Sequence, residues 1–599
     1  MENTYNFGST RDAEFKDESP LKTVEKIKSI LKSQNITTTE HWHESLVPYC
    51  FSLRVTVDGT NFGTNGKGIT KDFALASAYG ELMERIQLGY IGSDEQQKDG
   101  HFSVNDVQNV TVPCTELLER NLGWYELLSK RLYSATKETL SAQKILEQYS
   151  DKDGNIVATP FYCINKKTWE YLPTDLRKMV YSANGCAAGN TPEEAIVQAV
   201  SEIIERHSLV ELTFVDITPP DIPEEILQKY EVAYSIITFL RNAGFRVIAK
   251  DCSLGNGFPV VSICIIDVKT GKYHTHFAAN PIFEIALERA LTESFQGRSI
   301  DTVAEYSNFK YQGADVFDYK NLVRELNKGS SEKSPRYFVG KPSYQFKDSW
   351  YFKGTNNREL FVECINFLIE QGHDVLIRDC SCLGFPTYQV IAPGYSEVWV
   401  HRLSQKTNET KYRKFATTTC RNPSTASLDD MLGLLLYLPQ TKFGFSKIAL
   451  LHSNVGKETD DYLLAATLAY VYYSLGKFSE AAKKVNFMLN SPCHKNTEFL
   501  ICLERYLNFR TNKYSDEEIK ELISYFHSPE TVSMLYGSLD NNLNPLEDFV
   551  LHCDLECHKD CILYDKCCKQ KTIALSKIIQ QKTKEYDSSA FSEVINKLL

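Results

Sequence analysis

Two stretches of this chain, 121 residues apart, carry the same interruption, and that repetition constrains the fold more than any other feature of the sequence. Asn65-Gly66-Lys67-Gly68-Ile69-Thr70 leads into Ala74, Glu81, Glu84 and Arg85; later Asn184-Gly185 and then Gly189-Asn190-Thr191 lead into Ala195, Glu202, Glu205 and Arg206. Gly68 and Gly189, Thr70 and Thr191, Ala74 and Ala195, Glu81 and Glu202, and Arg85 and Arg206 all keep one offset of 121. A fixed offset through glycines, hydroxyls and charges is the mark of an internal repeat.

A second doubling, offset by 128, pairs Gly244 to Ser253 with Gly372 to Ser381. Each copy follows an apolar-periodic helix and runs into Phe-Pro and a β-branched stretch, Phe258 to Ile263 in one and Phe385 to Ile391 in the other. Helix, strand, short turn, strand is an antiparallel unit with a helix on one face. The expectation is an α+β class: an internally duplicated domain of antiparallel sheets covered by helices over residues 1–445, then an all-helical domain over 446–599. In the latter, Tyr473, Leu475, Gly476, Phe478, Glu480 and Ala481 resemble one tetratricopeptide-type helix-turn-helix, where a self-standing solenoid needs about three.

Thr70 and Thr191 stand where helix N-caps belong, and Glu194 lies three residues after Thr191 as a capping-box partner. Both helices then run through small or apolar residues until the glutamates arrive. Residues three apart share a helix face, so each Glu pair can aim two carboxylates at one point. Buried like charges call for a compensating cation, and oxygen ligands suit magnesium, which often holds substrate phosphates. Arginines on the same helices would supply bidentate phosphate contacts. A third helix, Ala286 to Arg298, carries a related Glu-x-x-Gln-x-Arg. The competing reading, exposed Glu/Arg pairs on amphipathic helices, loses ground because the motif is doubled. Gly63-Thr64-Asn65-Gly66-Lys67-Gly68 lacks the P-loop spacing and hydroxyl, though a tight turn feeding a helix can still bind anions, with Lys67 assisting.

In order, Thr64 to Arg85, Ser182 to Arg206 and Ala286 to Arg298 resemble the three ATP-binding motifs of the YcaO family, over roughly residues 5 to 440. The resemblance implies ATP and Mg2+ as cofactors and a reaction in which ATP activates a peptide-backbone amide oxygen, leading in family members to azolines, thioamides or amidines. Carried over, Glu81, Glu84, Glu202 and Glu205 would bind Mg2+, and Ser77, Asn184, Gln198, Arg206 and Arg298 would contact nucleotide. Arg11 stands in place of a phosphate-facing lysine, with Ser19 after it in Asp17-Glu18-Ser19. The chain ends Asn596-Lys597-Leu598-Leu599 rather than in the Pro-rich terminus of the family's peptide cyclodehydratases, which disfavours azoline formation. With its helical tail it resembles the stand-alone member from which the family takes its name. That likeness implies an accessory role in β-methylthiolation of a small-subunit ribosomal protein, beside a radical methylthiotransferase or other sulfur-transfer partner. The alternatives are a peptide-modifying cyclodehydratase or thioamide-forming enzyme, an ATP-binding non-catalytic protein that docks a partner, and a carboxylate-bridged metal hydrolase. The expected substrate is a peptide or ribosomal protein, and a homodimer stays open.

Composition narrows the partners. Acidic residues outnumber basic ones, 77 to 66, giving a net charge of −11, which argues against direct DNA binding. No stretch approaches the roughly 18 to 20 consecutive apolar residues of a membrane span, and the amino terminus lacks the pattern of a secretory signal, so a cytoplasmic location is expected. The 17 cysteines, an odd number, speak for thiols rather than a disulfide framework. Cys553, Cys557, Cys561 and Cys567 cluster near the end of the chain; thiolates this close would suit zinc or an iron–sulfur cluster, although the spacing lacks the paired C-x-x-C of such sites and buried reduced thiols are the commoner outcome.

Overall fold

The computed structural model describes residues 16–91, 108–151, 153–304, 319–328, 331–405, 409–440, 444–449, 456–493, 496–553, 563, 569–587 and 591–598. Three antiparallel sheets with helices against them form the body, the α+β arrangement expected. The first sheet has the order β1 (Thr38–His43), β2 (Phe51–Val57), β3 (Gly63–Gly68). Helices α1 (Pro20–Ser33) and α2 (Lys71–Gln87) share its core, where Leu53, Val55, Ala74, Ala78 and Leu82 are buried.

A six-stranded sheet combines β4 (Val110–Pro113), β5 (Asn155–Cys163), β6 (Thr168–Pro173) and β7 (Cys186–Ala188) with two later strands. The third sheet, in the order β10-β9-β8, is made of β8 (Phe245–Asp251), β9 (Val260–Asp267) and β10 (Tyr273–Ala279). The last strands, β11 (Leu376–Asp379) and β12 (Thr387–Ile391), lie between β5 and β7. Helices α3 (Pro192–Phe214), α4 (Glu231–Asn242), α5 (Phe283–Ser294) and α6 (Asn357–Glu370) pack on these sheets.

Both doublings exist in space. Thr70 (φ −133°, ψ 163°) and Thr191 (φ −129°, ψ 164°) adopt one conformation, and each hydroxyl accepts from the backbone N–H three residues on, at 3.2 Å. A Cβ on Gly68 would lie 2.7 Å from the Ala74 nitrogen, and one on Gly189 would lie 2.7 Å from the Ala195 nitrogen, so both helices start from a strand end too close for any side chain. The match does not extend to Asn184. At the constant offset Cys186 is the partner of Asn65, and Asn184-Gly185 precedes β7. In the other doubling, Asp251 and Asp379 end their strands and accept from the backbone N–H of Ser253 and Ser381, at 2.9 Å each. The two hairpins nevertheless belong to different sheets.

From Glu409 the described chain is helical. Helices α7 (Glu409–Arg421), α8 (Leu428–Tyr437), α9 (Lys457–Ser474), α10 (Phe478–Leu489) and α11 (Thr497–Thr511) enclose a separate core that reaches from Ala416 to Leu563, so residue 446 falls inside it. The last helices leave that core. Leu575 and Ile579 of α12 (Lys569–Glu585) are buried with the first sheet, and Phe591 and Ile595 of α13 (Phe591–Leu598) with α3 and α6. Polar contacts fix them: Tyr586 Oη donates to Asp379 at 2.7 Å, Asn596 Nδ2 to Tyr162 Oη at 2.8 Å, and Arg358 to the Lys597 carbonyl at 2.9 Å. Among the described residues no helix is long and apolar enough to cross a membrane.

Candidate functional site

Helices α2, α3 and α5 open onto one cleft of about 1580 Å3. Small-molecule sites usually enclose about 300–1,000 Å3, so this one has room for a nucleotide and a second substrate. Glu81, Glu84, Glu202 and Glu205 all line it, as do Ser77, Gln198, Arg206, Arg298 and Lys67. Asn184 does not: it is 2% exposed, and its Nδ2 donates to the Ser396 carbonyl at 2.7 Å. Ser19 is the N-cap residue of α1, between Glu18 and Pro20 on the cleft rim. Arg11 lies outside the described residues, as do Cys557, Cys561 and Cys567. Cys553 is a half-buried free thiol against the helical core, its N–H bonded to the Arg421 carbonyl.

The two copies are charged alike. Arg85 lies 3.5 Å from Glu81 and 3.6 Å from Glu84, and Arg206 lies 3.1 Å from Glu202. The Glu205 carboxylate accepts from the Ala279 N–H at 3.2 Å, which ties α3 to the end of β10. Burial raises Glu84 to about 8, with Glu202 and Glu81 adding to the rise against the pull of Arg85. Burial and then Glu293 raise Glu205 to about 7. The cleft therefore holds carboxylates short of positive charge. Among the described residues no three carboxylate, histidine or cysteine side chains already close into a metal-binding set; the arginines stand between the glutamates instead.

Glu293 of α5 is the opposite case. Its carboxylate takes Lys67 at 2.7 Å, His276 Nε2 at 2.6 Å and Arg289 at 3.3 Å. Burial pushes its pKa up, but Lys67, His276 and Arg289 together hold it well below the usual carboxylate range. Arg289 also donates to Gln198 of α3. Sequence reasoning picked out the Glu-x-x-Gln-x-Arg of this helix yet assigned a role only to Arg298, and so missed Glu293, Arg289 and His276. The signals were there: Arg289 and Glu293 are four apart on a helix, and His274 and His276 interrupt an apolar strand at its two-residue period.

Magnesium and a polyphosphate fit these residues. Four carboxylates that share only two arginines would ligate the metal, and cations wait with unused capacity: the buried Nε atoms of Arg206 and Arg289 have no hydrogen-bond partner. Glycine-tightened turns at both helix starts bring backbone N–H groups to the same cleft.

The chain is similar to known proteins over the stretch that carries these helices. Residues 65–396 match the family model described as YcaO cyclodehydratase, ATP- and Mg2+-binding. The chain is 31% identical over 340 residues to the ribosomal protein S12 methylthiotransferase accessory factor YcaO of Escherichia coli (strain K12), covering 56% of this chain and 58% of that protein. It is 30% identical over 365 residues to an uncharacterized protein of Haemophilus influenzae, covering 60% and 59%. The alignments thus span less than two thirds of these relatives. Solved structures with similarity include a heterocyclase in complex with substrate and cofactor (TM-score 0.47, 20% identity, 65% of this chain and 54% of that one). Another is YcaO from Methanopyrus kandleri bound with AMPPCP and Mg2+ (TM-score 0.40, 18% identity, 65% and 95%). With three carboxylate-bearing helices on one cleft and more than half its length matched by the family model, the chain belongs to the YcaO family, whose model is described as ATP- and Mg2+-binding.

Proposed function

We propose that this protein binds ATP and Mg2+ in the three-helix cleft and activates a peptide-backbone amide there, as an accessory factor in β-methylthiolation of a small-subunit ribosomal protein. The observation that carries the ATP and magnesium assignment is the opening of both Glu-x-x-Glu-Arg copies, with Glu293 from a third helix, onto one cleft. In this reading Glu81, Glu84, Glu202 and Glu205 hold the metal. Ser77, Gln198, Arg206, Arg298 and Lys67 orient the nucleotide, and Asn184 acts behind the cleft by fixing the turn before β7. Bound ATP supplies the phosphoryl group that makes an amide oxygen a competent leaving group. The chain's own part would be to hold metal and phosphates in place through these carboxylates and to offset phosphate charge with Arg85 and Arg206.

The accessory role draws on the name of the E. coli relative and on the helical unit, which has its own core and exposes Tyr525 (84%) and Phe526 (56%), as a partner-docking surface would. ATP turnover by the full-length protein, measured with and without the ribosomal protein and its methylthiotransferase, tests this reading. Stimulation by the pair supports it. Turnover indifferent to both, but stimulated by short peptides, would replace it with a stand-alone peptide-modifying activity.

A further inference from the structure

We infer that the outer edge of β1, unpaired among the described residues, is a docking strip for an extended peptide segment, which it pairs as an added strand and delivers to the cleft. The inference rests on the proposed peptide substrate and adds where that substrate is gripped. Strand β1, Thr38-Thr39-Glu40-His41-Trp42-His43, ends the sheet order and pairs only with β2 among the described residues. The hydrogen bonds fix which way its backbone points. Asp58 N–H donates to the Thr37 carbonyl, while Val57 N–H donates to Phe62 on the β3 side. By the alternation of an antiparallel ladder, Thr39, His41 and His43 spend their backbone groups on β2, and Thr38, Glu40 and Trp42 turn theirs outward.

Proteins usually blunt such edges with lysine, proline, a bulge or a covering element. Here the strand has neither lysine nor proline, and its register with β2 runs unbroken over six pairs, without a bulge. His41, Trp42 and His43 are exposed, and Leu46 just beyond is 80% exposed.

The strip is continuous with the site. His43 pairs with Ser52, and Ser52 with Lys67, so His43 and Lys67 share one row and one face of the sheet; Lys67 reaches Glu293 in the cleft. The chain leaving β1 forms the cleft rim at Pro48 and Tyr49. At about 4.8 Å between strands, a peptide added to β1 would lie roughly 14 Å from the β3 backbone, a distance about four or five extended residues span. Backbone pairing of this kind is tolerant of sequence, which fits a catalyst whose target is the peptide backbone itself.

The test uses full-length protein, a pool of random ten-residue peptides as the probe, and Trp42→Pro. Proline at Trp42 removes an outward N–H and leaves the bonds to β2 in place; a thermal melt confirms that the variant is folded, and Trp42→Ala, which loses the same ring but keeps the N–H, is the side-chain control. Peptides retained by the wild type should be retained at least tenfold less by Trp42→Pro than by Trp42→Ala, and at least tenfold less by the wild type when resynthesised with alternate N-methyl groups. Hydrogen exchange should slow at Thr38, Glu40 and Trp42 on peptide binding and stay unchanged at Thr39, His41 and His43. Equal retention by Trp42→Ala and Trp42→Pro, no retention at all, or protection that instead rises with protein concentration through pairing of two β1 edges would overturn the inference. ATP titration of the same wild-type sample reports separately on the cleft, so failure of the strip and failure of the nucleotide site are told apart.

Discussion

Glu84→Gln should make the ligand-free protein more stable and at the same time spoil its magnesium-nucleotide site. The Glu84 carboxyl is only 12% exposed, and its pKa is raised from 4.5 to about 8 by burial and by Glu202 and Glu81 beyond what Arg85 offsets. Fully ionising such a group in the folded state costs about 5 kcal/mol relative to the unfolded chain, and we take about 2 kcal/mol once water in the open cleft is allowed for. The sign follows from proton counting. Between 4.5 and about 8 the folded protein binds more protons at this position than the unfolded chain, so stability falls as pH rises through that window. Glutamine keeps the shape and removes the titration. Thermal melts of the metal-free protein at pH 8.5 should therefore show Glu84→Gln melting about 3 °C above wild type, and the gain should shrink to less than half at pH 5.5. Added Mg2+ and ATP should reverse the order, because only the wild type keeps the full ligand set. A variant that melts below wild type at pH 8.5 without ligand, or that gains as much from magnesium-ATP as wild type does, would refute the strained-carboxylate argument.

Gly68→Ala and Gly189→Ala should each cost about 1–3 kcal/mol in chemical denaturation, since the new Cβ would sit 2.7 Å from a backbone nitrogen in both copies. Phe591→Ala, which empties a 4% exposed position against Tyr388 of β12, should cost about 3–5 kcal/mol and lower the melting of the sheet body, although the residue follows the helical unit in sequence. Lys67→Met should raise the pKa of Glu293 by removing a 2.7 Å cation, so that magnesium-ATP affinity begins to fall at a higher pH on acidification than in wild type; titrating binding against pH reads this.

The repeated carboxylate helices could be read from the sequence because their determinants are local: a glycine forced by close approach, a threonine cap, and charges at helical spacing in an apolar run. The hairpin doublets were legible for the same reason, as Asp251 and Asp379 end their strands with the same bond to the backbone two residues on. Asn184-Gly185 looks like a copy of Asn65-Gly66 but sits two residues off the constant offset, and its place behind the cleft follows from a bond to the distant Ser396 carbonyl that no local pattern announces. The role of Glu293 depends on Lys67, far earlier in the chain, and on His276, from the preceding strand; no local pattern announces such a meeting. The return of α12 and α13 to the sheets was hidden likewise, since an amphipathic helix states that it has a buried face and not what covers it.

The central claim is one shared metal-nucleotide site built from both copies of the repeat. Calorimetric titration of a non-hydrolysable ATP analogue at rising Mg2+ into wild type, Glu81→Gln and Glu202→Gln tests it most directly. Both variants should fold and lose magnesium-dependent affinity by about tenfold or more, the scale on which metal sites respond when a supporting group is removed. Unchanged magnesium-dependent binding in either variant would contradict it, because the two positions, 121 residues apart, would then not serve one site.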